Sequence, residues 1–326
     1  KKVPVPVCGV MLGCAALGNL LQAVFTNVLG NEQTGNMLRL VCGVLALILL
    51  VLMLLKIITC FGAFQEDLKN PIMASVFATF PMTLMILSTY LMQVGGAAMK
   101  PAGNAIWWVG IALHALLIVY FTVKFMLPPA LPKVFASYFI VYCGIAAGAV
   151  TAPPYGQEQV GTILFWFAFV CFVALMVLVT MAYMKTQKPD PAKPLICIYT
   201  APLALCIAGY VQSVTPKSLT FLQIMLAVEC VLYLFALYKA VMFLIGNKFF
   251  PSWASFTFPF VISAIATLQT MACAKNMEQP MPFLRPVVLV ETVIAVVFVL
   301  YVYIRFLMFL TKAQPAPAQP AAEEKK

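Results

Sequence analysis

Charged side chains are scarce in this sequence, and histidine and aspartate are the scarcest of the ionisable residues. Of its 326 residues only 9% are charged, while 63% are hydrophobic. His114 is the single histidine, and the only aspartates are Asp67 and Asp190. So few polar side chains could not cover the surface of a water-soluble protein of this length. The composition therefore excludes an ordinary soluble domain.

The same shortage limits the chemistry that the chain can perform. Glu229 and Glu291 are the acidic residues within apolar runs, and we interpret both as locally hydrogen-bonded or interfacial. An acid/base pair, a metal cluster or a Cys/His nucleophile cannot be assembled, and no phosphate-binding loop is present. The ten cysteines lie mostly in apolar runs, as small buried residues do. We predict no enzyme and no ATP-driven pump, with no catalytic residue, cofactor or metal.

Long apolar runs are what the sequence has instead. Runs of about 20 residues recur along the chain, long enough to cross a hydrocarbon core of about 30 Å. They are continuous rather than alternating, which favours helices and excludes a β-barrel. The first run has no convincing small-residue cleavage site, so we expect a retained span rather than a signal peptide. The fold class is an all-α polytopic membrane protein.

Loop signals divide the chain into ten predicted spans within a transmembrane domain at residues 1–311. Residues 312–326, rich in alanine and proline, predict a disordered cytoplasmic tail. The spans are placed near 5–29, 38–59, 72–94, 103–126, 132–152, 159–184, 193–213, 218–245, 252–273 and 284–311.

The distribution of positive charge predicts the orientation. With a cytoplasmic N-terminus, five of the 20 lysines and arginines fall outside, and the other fifteen fall in cytoplasmic segments. This bias follows the positive-inside rule and predicts that both termini are cytoplasmic. We expect the protein in the inner (plasma) membrane of the cell. We attribute the net charge of +10 to loops that face anionic lipid, not to nucleic acid. The five outside residues are Arg39, Lys100, Lys217, Lys275 and Arg285.

Proline distinguishes the odd spans from the even ones. Each odd span opens with proline at its cytoplasmic end, and the openings recur about every 60 residues, which indicates five helical hairpins. Leucine-rich even spans suit lipid-facing helices. We therefore predict an inner five-helix pore surrounded by five outer helices. The opening prolines are Pro4 and Pro6, Pro71, Pro132, Pro194 and Pro251.

Three odd spans carry a second proline near mid-membrane, and the other two carry glycines. An interior proline removes a backbone hydrogen bond and clashes with the carbonyl four residues earlier, which bends a helix. A freed carbonyl is tolerated beside other helices or a water-filled cavity. We predict pore-lining or kink residues at Gly9, Gly13, Thr79, Pro81, Gly144, Gly148, Pro202, Thr257, Pro259 and Ser263.

Hydroxyl groups on the inner spans could partly replace the hydration shell of an anion. Ser137 and Thr200 join the hydroxyl residues named above. Lysines near the cytoplasmic mouth either concentrate anions electrostatically or only set topology, and the sequence leaves both interpretations open. These lysines are Lys56, Lys69, Lys133, Lys193 and Lys248.

Four segments carry a resemblance to a known family: "VPVPVCGVMLGCAALGN", "NPIMASVFATFPM", "APLALCIAGY" and above all "WASFTFPFVISAIAT". From Pro4 to about Leu310 the chain resembles the tellurite-resistance/dicarboxylate transporter (TDT) family, which includes the slow anion channels. The resemblance implies ten spans, a homotrimer with one pore per subunit, and a phenylalanine that plugs the pore in the ninth span. The matching residue is Phe258. A second pore aromatic would match Phe77 or Phe80, and we include Phe80 in the predicted gate.

The sequence thus leads to an anion channel or uniporter-like carrier for small anions or C4-dicarboxylates, gated by phenylalanine. The alternative is a proton-coupled C4-dicarboxylate (malate) transporter in which His114 or Glu229 titrates. A receptor or assembly subunit without transport is a third hypothesis, which a ring of proline-bent spans does not favour.

Overall fold

A computed structural model describes residues 3–127, 130–246 and 248–311 of the chain. This part contains helices and no β-strand. The predicted tail, 312–326, lies outside the described residues. The α-helices are α1 (Val7–Asn27), α2 (Glu32–Thr59), α3 (Phe61–Leu68), α4 (Pro71–Phe77), α5 (Thr79–Gly95), α6 (Lys100–Phe121), α7 (Tyr138–Cys143), α8 (Ala146–Val150), α9 (Glu158–Lys185), α10 (Ala201–Ser213), α11 (Leu219–Ile245), α12 (Phe258–Asn276) and α13 (Leu284–Thr311).

Eight helical segments of the described part are long and apolar enough to cross a membrane. One of them runs from Pro71 to Met126, and its 56 residues include a turn at Gly96, where φ is +58°. At about 1.5 Å per residue such a length exceeds a hydrocarbon core of about 30 Å more than twofold. Residues 134–152 are not among the eight, because α7 and α8 have six and five residues. The count of ten spans stays a prediction.

Four of the odd spans are broken helices. Ala78 separates α4 from α5, and Gly144 with Ile145 separates α7 from α8. In the seventh and ninth spans a 3₁₀ segment, Asp190–Thr200 or Pro251–Phe256, precedes the α-helix. The first span differs, since α1 runs without interruption.

The interior prolines lie directly after these breaks. Pro81 is the third residue of α5, while Pro202 and Pro259 are the second residues of α10 and α12. The first four N–H groups of a helix have no intrahelical partner, so proline loses no hydrogen bond there. Each proline therefore begins a new helix instead of bending a continuous one.

Burial separates the spans into two groups. In their most apolar stretches, 83% of residues are buried in α1, 89% in Asp190–Ser213 and 83% in Pro251–Asn276. The corresponding values are 33% in α2, 28% in α9, 39% in α11 and 44% in α13. These three segments thus lie in the interior, whereas α2, α9, α11 and α13 leave apolar side chains exposed as lipid-facing helices do.

Candidate functional site

A nearly apolar cavity of about 200 Å³, here called the proline cavity, lies between the five odd spans. Two of its three hydroxyl groups bond to the backbone: Thr79 donates to Val76 O at 2.7 Å and Ser255 donates to Pro194 O at 2.7 Å. The third, Ser252 Oγ, is buried and has no hydrogen-bond partner within the described residues. The lining residues are Pro6, Gly9, Leu12, Ile72, Met73, Val76, Thr79, Met82, Phe139, Ile140, Cys143, Gly144, Pro189, Pro191, Ala192, Leu195, Ile198, Ala201, Pro202, Leu205, Pro251, Ser252, Ala254, Ser255, Phe258 and Pro259.

A second cavity of about 240 Å³, the arginine cavity, is lined by more polar side chains. The predicted odd spans supply all of its lining except Pro154, in the turn after the fifth span, and Arg39, which extends from α2. The lining residues are Ala16, Asn19, Gln22, Ala23, Arg39, Ile86, Thr89, Ala147, Val150, Thr151, Pro154, Leu205, Gln212, Phe258, Ile262, Ile265, Leu268 and Gln269. Neither set of lining residues includes a carboxylate.

The two cavities lie end to end. In the first span, residues 6–12 line the proline cavity and residues 16–23 line the arginine cavity. The same order along the chain holds for the other four odd segments, so all five run in the same direction from one cavity to the other. Phe258 and Leu205 line both cavities. These two side chains therefore lie where the cavities meet.

The backbone break before α12 sets the position of Phe258. Thr257 has φ −96° and ψ −89°, and its Oγ1 lies 2.7 Å from Ala254 O and 3.0 Å from Gly9 O. Gly13 allows α1 to approach this break closely, because a Cβ there would lie 2.6 Å from the Thr257 Cβ and 3.1 Å from the Phe258 nitrogen. The contact with α1 thus positions the phenylalanine.

Six of the predicted gate and pore residues line a cavity, and six line neither. Gly13 and Thr257 instead form the contact just described, and Gly148 packs against Leu164 of α9. Ser263 Oγ lies 2.9 Å from Thr200 Oγ1, which donates to Glu229 at 2.7 Å, so both hydroxyls face α11. The lining six are Gly9, Thr79, Gly144, Pro202, Phe258 and Pro259, and the others are Gly13, Phe80, Pro81, Gly148, Thr257 and Ser263.

Phe80 belongs to an aromatic stack that leads away from the cavities. Its ring stacks on Phe77 with centroids 5.3 Å apart, and Phe77 meets the edge of Phe64 on α3 at 4.9 Å. Neither Phe77 nor Phe80 lines a cavity. This placement favours Phe258 alone as the gate.

The ionisable groups of the alternative hypothesis also lie off both cavities. His114 is fully buried, and its Nε2 lies 2.9 Å from Val141 O. Glu229 is fully buried behind Thr200. Each group makes a hydrogen bond within the helix packing, and neither is among the lining residues of a cavity. His114 Nδ1 and Glu229 Oε2 have no hydrogen-bond partner within the described residues.

Three of the five lysines of the predicted cytoplasmic mouth pair with acidic residues. Lys56 donates to Asp67 at 2.5 Å, and two further ion pairs of 2.6 Å join Lys69 to Glu66 and Lys193 to Asp190. None of these three lysines lines a cavity. Their local neutralisation weakens the interpretation that they concentrate anions and favours a topological role.

Arg39 is a cavity residue that sequence reasoning missed. It was counted only among the outside charges that set orientation. The available signal was its depth, eight residues into an apolar helix, where an unpaired charge is costly and points to function. A second signal of a polar cavity was the presence of polar residues toward the C-terminal ends of three odd spans. These residues are Asn19, Gln212 and Gln269.

Apolar spans around two cavities that meet end to end define a multi-pass membrane protein of the channel and transporter class. The chain belongs to the SLAC1 family of voltage-dependent anion channels, whose family model matches residues 2–307. This match confirms the resemblance to the TDT family. Members of the family are anion channels and transporters rather than enzymes. No curated protein matches the chain.

Proposed function

We propose that this protein conducts small anions or C4-dicarboxylates passively, through the two cavities, with Phe258 as the gate between them. The observation that carries this proposal is the shared lining: Phe258 and Leu205 border both cavities, while five segments run in the same direction past them. Family membership supplies the class of substrate.

The chemistry of the junction is that of a hydrophobic gate. Phe258 is only 6% exposed, and the proline cavity beside it is almost entirely apolar. An apolar constriction excludes water, and an anion cannot pass without its hydration shell or a polar substitute. The absence of carboxylates from both linings avoids electrostatic repulsion of an anion. His114 and Glu229 lie off the path, which supports passive conduction over proton coupling.

The same proposal includes the topology. Ten spans would pair as five hairpins, an arrangement supported by the packing of α1 on α2, α5 on α6 and α12 on α13. The distribution of lysine and arginine favours cytoplasmic termini in the inner membrane, with the proline cavity on the cytoplasmic side. The homotrimer rests on the family resemblance alone.

The decisive experiment compares Phe258→Ala with Phe80→Ala in liposomes or planar bilayers. Removing the Phe258 ring should hydrate the junction and raise chloride, nitrate and malate conductance at least tenfold, or about 1.4 kcal/mol in barrier. Conductance should be recorded with and without a voltage, and tellurite should be included among the anions.

Phe80→Ala is the matched control, because it removes the same side chain from the same Thr-Phe-Pro tripeptide away from both cavities. It should lower the melting temperature through lost packing and leave conductance unchanged. Equal conductance of the parent and a folded Phe258→Ala protein would refute the gate, and an equal rise in both variants would indicate non-specific loosening.

A further inference from the structure

Arg39 carries a positive charge into the arginine cavity without a carboxylate partner. Its Nη1 donates to Gln22 Oε1 at 2.9 Å, its Nη2 donates to Thr89 Oγ1 at 2.8 Å, and its guanidinium carbon lies 4.4 Å from the centre of the Tyr90 ring. All three partners are uncharged. None of the ion pairs found among the described residues includes Arg39. The cavity therefore retains a net positive charge.

Polar atoms without partners lie around this charge. Arg39 Nε, Asn19 Oδ1 and Gln269 Oε1 are buried and have no hydrogen-bond partner within the described part of the chain. The oxygen and nitrogen of a side-chain amide are assigned from their surroundings, so either amide can present its NH₂ group to a ligand. Arg39 Nε is the one donor among these three atoms, and a buried donor without an acceptor is costly. An acceptor in the cavity would satisfy Arg39 Nε, and it would also pair with either amide whose NH₂ group is turned toward it.

We propose that the arginine cavity is a binding site for a small carboxylate or planar oxyanion, with Arg39 as its cationic residue. A guanidinium group offers parallel N–H donors that match two oxygens of such an anion. In a partly buried cavity this attraction exceeds its value in water. Asn19 and Gln269 complete the donor set from two other spans, while Gln22 and Thr89 are positioning residues that hold the guanidinium.

The size of the cavity fits this class of ligand. A water molecule occupies about 30 Å³ of liquid, so a cavity of about 240 Å³ holds a small anion with part of its hydration shell. The inference deepens the proposed function and rests on it, since the site would select anions at one end of the path before they reach Phe258. Selection for two coplanar oxygens predicts a preference for nitrate or malate over chloride.

The test is calorimetric titration of the purified full-length chain with nitrate, malate and chloride. Nitrate and malate should bind more tightly than chloride, and Arg39→Gln should weaken their binding at least tenfold. Arg39→Lys keeps the charge and loses the parallel donors, so it should retain chloride binding and lose the preference for nitrate. The matched control is Arg285→Gln, because Arg285 is an outside arginine that lines neither cavity and donates to Val28 O at 3.1 Å.

Unchanged nitrate affinity in folded Arg39→Gln would overturn the proposal, as would an equal loss in Arg285→Gln. An unchanged nitrate-to-chloride ratio in Arg39→Lys would also overturn it, and this variant decides the matter if Arg39→Gln does not fold. Failure of the site is distinguishable from failure of the proposed function. If only the site fails, Phe258→Ala still raises conductance; if only conduction fails, nitrate binding still depends on Arg39.

Discussion

The proline and arginine cavities share Phe258 and Leu205 and otherwise differ in nearly every lining side chain. The first is bordered by proline, leucine, isoleucine and glycine, and two of its three hydroxyls bond to backbone carbonyls. The second presents amides and one guanidinium whose partners are neutral. The difference suggests that the two cavities have different roles: the arginine cavity would bind and select anions, and the proline cavity would resist hydration.

Cations are also distributed differently at the two ends. Lys56, Lys69 and Lys193 near the proline end bond to carboxylates outside the cavity, whereas Arg39 lies inside its cavity without one. Neutralised charges attract little, and a buried unneutralised charge attracts strongly. Arg39 would therefore attract an anion into its cavity more strongly than any of the three paired lysines would.

Among the substitutions that test this difference between the two cavities, Gly13→Ala should have the largest effect on stability and conductance. The new Cβ would lie 2.6 Å from the Thr257 Cβ and 3.1 Å from backbone, so α1 and the break before Phe258 must separate. Overpacking of this kind costs about 2–3 kcal/mol. We expect a lower melting temperature together with a conductance that rises less than in Phe258→Ala.

Gly62→Ala on α3 is the control for this substitution, since nothing lies within 4 Å of a Cβ at that position. It should leave conductance unchanged and stabilise α3 slightly, because alanine favours a helix over glycine. A Gly13→Ala protein with parental stability and parental conductance would show that the contact with α1 does not position the gate.

Lys56→Met should have an intermediate effect, confined to stability. Lys56 is buried near the end of α2 and donates both to Asp67 and to Val3 O at 2.7 Å. Methionine keeps most of the apolar stem but removes both hydrogen bonds, at a cost of about 1–2 kcal/mol, since water can reach the partly exposed Asp67. Thermal melting should show this loss while the nitrate-to-chloride permeability ratio stays at the parental value. A changed ratio would give the proline end a share in anion selection.

Much of the fold could be predicted because it depends on composition. Long apolar runs specify membrane helices, and the family was recognisable from segments such as "WASFTFPFVISAIAT". Pro81, Pro202 and Pro259 were expected to bend helices, and the structure has a break just before each one. The prolines begin new helices rather than bend continuous ones, and the tolerance of proline in a first helical turn is a local effect that can be inferred without tertiary contacts.

The facing of individual side chains could not be predicted in the same way. In a soluble helix the polar side marks the surface, but a membrane helix can be apolar on every side. The sequence alone therefore could not show whether Ser263 and Thr200 face the pore. In the structure their hydrogen bonds turn them toward Glu229. Arg39 escaped notice because it belongs to an even span and reaches the cavity only through its long side chain.

The smallest effect should come from Lys193→Gln. The ion pair of Lys193 with Asp190 joins two well-exposed side chains, 51% and 68% accessible, where solvent screens most of the attraction. We expect no resolvable change in melting temperature and a nitrate flux equal to that of the parent at physiological ionic strength. A fall in flux that widens at low salt and disappears at high salt would mean that this lysine steers anions despite its pairing. The proline end would then share the electrostatic role that we assign to Arg39.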